Sequence, residues 1–132
     1  MKRTRALRSL VLAPSFALFL GCQRLLSAHT SISGAELAQE IQNGRAPLIL
    51  DVRTEEEYRS GHIPGARNVP IDQLEGQLAT LGIAKSDEVV VHCERGARAA
   101  KAEALLTSAG YEHVVDLQGH MKGWRDSGLP QE

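Results

Sequence analysis

Cysteine is scarce in this chain: 132 residues contain two, Cys22 and Cys93. That is too few for a disulfide framework. Aromatic residues make up only 4%, so the core must be modest and largely aliphatic. The apolar stretch at residues 10–20 falls well short of the ~20 residues that cross a bilayer as a helix, so a polytopic membrane protein is excluded. Positive charge is not in excess either, with 15 Lys and Arg against 16 Asp and Glu. No segment carries a Lys/Arg stripe, which argues against nucleic acid as a partner. With no internal repeat and no low-complexity tract, collagenous and disordered classes drop out as well.

What is present describes a soluble globular domain of ordinary size. Hydrophobic residues reach 42% and charged residues 23%, with both signs mixed. The start, MKRTRALRSLVLAPSFALFLGC, places Lys2, Arg3, Arg5 and Arg8 before the apolar stretch and ends on Gly21-Cys22. That is the architecture of an export signal. The FLGC ending resembles a bacterial lipoprotein signal, although Phe19 stands where leucine is usual. The resemblance implies that Cys22 receives lipid and becomes the first residue, and Gln23 after it is similar to the pattern sorted to the outer membrane. The alternative is a plain signal peptide cut after a later residue such as Ala28. Either way the chain is expected to be exported to the periplasm. Removing residues 1–21 takes away four basic residues and no acidic one, leaving a net charge of −5.

Both readings of the N-terminus leave Cys93 as the lone thiol of the mature domain. An exported protein with a single free thiol holds either an inert core cysteine or a reactive sulfur.

The remaining chain is punctuated regularly. Ser33 with Glu36 forms a capping box opening a helix to Ile41, which Asn43-Gly44 stops; Thr54 with Glu57 opens a second, short helix closed at Gly61. Residues 47–52 and 88–92 are continuously apolar, as expected of strands buried on both faces. Residues 66–69 follow a Pro/Gly-rich loop and read as a brief edge strand. Ile71, Leu74, Leu78 and Leu81 recur at helical spacing up to Gly82. Residues 97–109 predict an alanine-rich helix with Ala100, Ala104 and Leu105 inward. A strand at 113–117 and a short helix around 121–125 close the chain. Alternating strands and helices imply an α/β fold with a parallel sheet covered on both sides. Ligands in such sheets sit beyond the carboxyl ends of the strands. Two segments end there with chemistry: Asp51-Val52-Arg53 and His92-Cys93-Glu94-Arg95.

A helix that starts just after a strand presents unpaired N–H groups and a positive dipole end, and so forms an anion site. Cys93 at that point is expected to be held as thiolate, with Arg95, Arg98 and Lys101 as positive neighbours and Gly96 letting the backbone wrap the sulfur.

The stretch Cys93-Glu94-Arg95-Gly96-Ala97-Arg98 resembles the C-x-x-G-x-R active-site loop of rhodanese-like sulfurtransferases. Residues 50–53, Glu57-Tyr58, Gly61 to Ala66 and Asn68-Val69-Pro70 are similar to that family's first signature; Gly110-Tyr111, Val114, Leu117, Gly119 and Trp124 are similar to its closing one. The resemblance implies a three-layer fold with a central parallel sheet of about five strands and helices on both faces. The domain division is then 1–21 signal, 22–30 linker and 31–132 rhodanese-like domain. It also implies the reaction: Cys93 takes the outer sulfur of a donor such as thiosulfate and passes it from a persulfide to cyanide or a thiol. The amides of Glu94, Arg95, Gly96, Ala97 and Arg98 would cradle the persulfide, Arg95 and Arg98 would steer the anionic donor, and Asp51 with Arg53 would support the pocket. No cofactor is implied. Phosphatases of this fold place five residues between cysteine and arginine, against four here, which favours sulfur. The loop also lacks the C-G-S/T-G-V-T form linked to mercaptopyruvate.

Three departures stand out. Glu94 places a like charge beside the thiol, Ala99 replaces a frequent hydroxyl, and His120 replaces the second glycine of the closing motif, where a positive φ would suit histidine poorly. His92 is read as a packing residue on the opposite face of its strand, and His62 as part of a structural turn. His29, His113 and His120 lack metal-ligand spacing, so no metal site is expected. A competing reading, supported by Glu94, is a non-catalytic module that binds a partner or senses sulfane sulfur at the cell envelope. A redox role ranks behind both, because the domain has no resolving cysteine.

Overall fold

A computed structural model describes residues 30–132. The export signal at 1–21, the lipidation site Cys22 and the linker up to residue 29 lie outside the described residues. In chain order the elements are β1 (Ser31–Ile32), α1 (Gly34–Gln42), β2 (Leu48–Asp51), α2 (Glu55–Arg59), β3 (Arg67–Asn68), α3 (Ile71–Gln77) running into a 3-10 turn (Leu78–Thr80), β4 (Glu88–His92), α4 (Ala97–Ser108), β5 (His113–Leu117) and α5 (His120–Asp126).

Both capping boxes form. The Ser33 hydroxyl accepts from the Glu36 amide while the Glu36 carboxylate accepts from the Ser33 amide, and Thr54 with Glu57 repeats the arrangement. Each box satisfies two N–H groups that a helix start leaves orphaned. The short strands then join one parallel sheet in the order β1-β5-β4-β2-β3. Ser31 and Ile32 carry too little pattern to announce a strand. They become one because β5 offers an open edge, with the Asp116 and Gln118 amides donating to Thr30 and Ile32 carbonyls.

Because strand side chains alternate, β4 sends Val89 and Val91 to one face and Val90 to the other, and two cores result. Leu50, Val52, Leu74, Leu81, Ala99, Ala102 and Leu106 pack with Val89, Val91 and Cys93 beneath α3 and α4. Leu37, Ile49, Val115, Met121 and Trp124 pack with Val90 beneath α1 and α5. Leu37 is the one buried residue of α1, and truncating it to alanine would cost about 2–5 kcal/mol. The inner face of α4 is Ala99, Ala102 and Leu106. This corrects the sequence expectation, since Ala100 and Ala104 are exposed and Leu105 only half-buried. An alanine-rich helix has little apolar contrast around its circumference, so packing on the sheet chooses its face.

The ends of the two central strands lie side by side, with Asp51 paired in register with His92. That juxtaposition brings the Asp51–Arg53 segment against the turn that carries Cys93.

Candidate active site

Cys93 sits one residue beyond β4, and α4 begins four residues later at Ala97. Gly96 closes the turn at φ +124°, a conformation open to glycine and strained for other residues. Its N–H donates to Cys93 Sγ at 3.0 Å. The amides of Glu94, Arg95, Ala97 and Arg98 donate to no acceptor among the described residues. The carbonyls of Cys93 and Glu94 are turned the other way, accepting from the Met121 and Lys122 amides of α5 at 3.0 and 3.1 Å. With its oxygens tied to α5 and its N–H groups free, the loop is a concavity suited to an anion. Cys93 is almost wholly buried.

The charged residues near this loop are sorted by partners far away in sequence. Arg98 forms a two-pronged ion pair with Glu57, Nη1 to Oε2 at 2.6 Å and Nη2 to Oε1 at 2.9 Å. That hydrogen bonding holds the Glu57 carboxyl down to about 2, with the Thr54 cap adding to the effect. Arg98 is thus clasped at the start of α4, where the sequence suggested a free donor-binding cation. Arg95 is exposed and has no hydrogen bond or ion pair among the described residues.

Glu94 is not left facing the thiol unopposed. Its carboxylate receives both outer nitrogens of Arg125, the Nη1 contact at 3.3 Å, and lies 3.5 Å from Arg53 Nη1. Two guanidinium groups therefore offset the like charge that the sequence placed beside Cys93.

Asp51 is fully buried, and Arg53 nearly so. Asp51 accepts the Arg53 backbone amide at 3.0 Å and the guanidinium Nη2 at 2.8 Å, while the same Nη2 reaches the Gly61 carbonyl at 2.9 Å. Asn68 ties the carbonyls of both residues to β3. Arg53 therefore links the β2 end, the turn after α2 and Glu94 of the loop. These contacts are supporting ones, as charge-paired burial requires.

His92 is buried on the face away from the Cys93 core. Its Nδ1 lies 3.2 Å from the Cys93 carbonyl, and Nε2 has no hydrogen-bond partner, Asp51 Oδ2 being 3.7 Å away. Burial pushes its pKa below the ordinary 6.5. His62 stacks on Tyr58 with centroids 3.7 Å apart and its Nδ1 lies 3.0 Å from the Tyr58 carbonyl, which makes it part of the turn. Trp124 is core, its indole donating to the Pro130 carbonyl at 2.8 Å. His120 occupies a left-handed conformation, φ +52°, the sole non-glycine to do so among the described residues. Among those residues no cluster of three or more His, Cys, Asp or Glu is suited to a metal.

Sequence reasoning did not find the site roles of Glu57 or Arg125. Glu57 was visible as a capping residue and as part of the first signature but not as a partner of Arg98, and nothing in the spacing linked Arg125 to Glu94, 31 residues away.

Residues 33–127 match the sequence profile of the rhodanese-like domain. The chain is 33% identical over 99 residues to a protein named sulfurtransferase from Allochromatium vinosum, an alignment covering 75% of this chain and 91% of that one. It is 36% identical over 70 residues to thiosulfate sulfurtransferase PspE of Escherichia coli, covering 53% of this chain and 67% of the relative. The crystal structure of the Alr3790 protein from Anabaena sp. superposes with a TM-score of 0.70 at 33% identity, covering 76% of this chain and 90% of that one. Sheet order, the cysteine turn and these likenesses agree, and the chain belongs to the rhodanese-like domain family.

Proposed function

We propose that the protein is a sulfurtransferase that moves sulfane sulfur from thiosulfate or a persulfide donor to a thiophilic acceptor through a persulfide on Cys93. The observation that carries this reading is the turn itself: Gly96 N–H aimed at the sulfur, neighbouring amides without acceptors, and carbonyls held away by α5. In the first half-step Cys93 thiolate attacks the outer sulfur of thiosulfate. The donor S–S bond breaks, sulfite leaves with the electron pair, and Cys93 carries an S–S⁻ group. The new sulfur extends about 2 Å beyond Sγ, toward the unpaired amides, which stabilise its charge. In the second half-step cyanide or a thiolate attacks the outer sulfur, and the electron pair returns to Cys93. No external oxidant or reductant is consumed.

Arg95, exposed and unpaired, is the cation best placed to attract an anionic donor. Arg98 acts through position, since Glu57 already engages it. Asp51 and Arg53 hold the strand ends. The protein acts in the periplasm, attached to the envelope if Cys22 is lipidated.

Incubating the protein with thiosulfate and cyanide should yield thiocyanate, with a mass gain of one sulfur on the Cys93 peptide after donor alone. Cys93→Ser should abolish both. If no thiocyanate forms and no sulfur is retained while the folded protein is still required in cells, the non-catalytic module reading replaces this one. Intact mass of protein isolated from membranes reports the processed N-terminus and any acyl chains.

A further inference from the structure

The closing motif puts histidine where its relatives' pattern led us to expect glycine, and the structure gives that histidine contacts glycine could not make. At φ +52° the His120 backbone is strained by about 1–3 kcal/mol, a conformation that persists only where the surroundings impose it. Its ring is largely buried against the underside of the Cys93 turn. Nδ1 accepts the Cys93 amide in a long hydrogen bond of 3.5 Å. The ring also lies so close to Gly96 that a Cβ there would stand 2.8 Å from Nε2. On the other side, Nε2 faces Asp116 Oδ1 of β5 at 3.6 Å. A carboxyl opposite Nε2 favours the tautomer with its proton on that nitrogen, leaving Nδ1 as the acceptor that the Cys93 amide needs. Behind Asp116 lies Glu103 of α4, its carboxyl pushed up to about 7 by burial and by hydrogen bonding to Asp116.

We propose that His120 is a positioning residue of the sulfur loop: its ring props the Gly96 peptide and its Nδ1 holds the Cys93 amide, keeping the loop N–H groups trained on the sulfur. The role deepens the sulfurtransferase reading and rests on it for its purpose, but the geometry can be tested without any sulfur donor.

The experiment is the alkylation rate of Cys93 by iodoacetamide against pH, read on the Cys93 peptide of the full chain. His120→Gly relieves the backbone and removes the ring. It should unfold no earlier than wild type on heating, yet react about tenfold more slowly at neutral pH, its profile displaced by about one unit toward alkali. His120→Ala reads the same quantity if the glycine variant does not fold. His120→Asn tolerates the left-handed backbone and offers an oxygen near the Nδ1 position, so it should restore at least half the displacement. Superimposable profiles for wild type and His120→Gly or His120→Ala overturn the assignment. So does an asparagine that restores nothing, since bulk alone would then be responsible. Wild-type protein that alkylates as described but forms no thiocyanate refutes the proposed function and leaves the role of His120 intact.

Discussion

Arg98 and Glu57, 41 residues apart in the chain, meet in a two-pronged ion pair that ties the first turn of α4 to the first turn of α2. Both side chains are about one-third exposed, so solvent screens the pair, and its main consequence is geometric. The guanidinium that follows the cysteine loop is held in place and cannot swing freely toward a donor.

Replacing Glu57 by glutamine keeps the Thr54 capping box and removes the charge. Glu57 is held at about 2, below its ordinary 4.5. Its ionised form therefore adds stability above about pH 4.5, and that contribution is lost as the pH falls toward 2. Glu57→Gln should cost about 1 kcal/mol at neutral pH, with the two proteins converging in acid. Urea midpoints across that range check it, and a gap that stays constant would show the pair to be irrelevant.

Glu94 shields the site from anions less than its position suggests, because Arg125 and Arg53 engage it. Glu94→Gln releases the Arg125 guanidinium, while Asp51 and the Gly61 carbonyl still hold Arg53. The KM for thiosulfate should fall by about threefold, and the gain should shrink as salt is added. Steady-state kinetics at two ionic strengths decide; an unchanged KM would mean that Arg125 does not reach the donor.

Gly96→Ala sets a side chain at φ +124° and drives its Cβ to 2.8 Å from the His120 ring. A loss of about 1–3 kcal/mol in unfolding free energy is expected. Cys93 alkylation should slow together with it, because the displaced Gly96 N–H no longer meets Sγ. Thermal melts and labelling of the same preparation would separate the two effects, and normal labelling would show that this amide contributes nothing to the reactivity of Cys93.

His92 is kept neutral by burial, its pKa below the ordinary 6.5. Once the pH drops beneath 6.5, the unfolded chain binds a proton that the folded chain refuses, so stability declines from there downward. His92→Leu removes that acid sensitivity and changes stability at neutral pH by less than about 1.5 kcal/mol. Parallel melts from pH 7 into acid test this: equal acid slopes in both proteins would assign the sensitivity to other groups.

Much of the site was legible before folding because its parts are local. A strand end, a cysteine, a glycine and a helix start fall within ten residues, and the backbone N–H groups of such a turn must go somewhere. The two capping boxes were readable for the same reason, each spanning three residues. Alternation in β4 likewise put His92 opposite Cys93.

The sequence alone thus determined an α/β domain, a parallel sheet and a thiol at the mouth of a helix. Tertiary structure decided which arginine is free. Arg95, Arg98 and Arg125 look alike in the chain, yet Glu57 takes one and Glu94 another, because ion pairing depends on distance in space and not along the polymer. It also made a strand of Ser31 and Ile32 at an open sheet edge, selected the inner face of α4, and folded His120 under the loop. Each outcome depends on surfaces that exist only once distant segments have packed together.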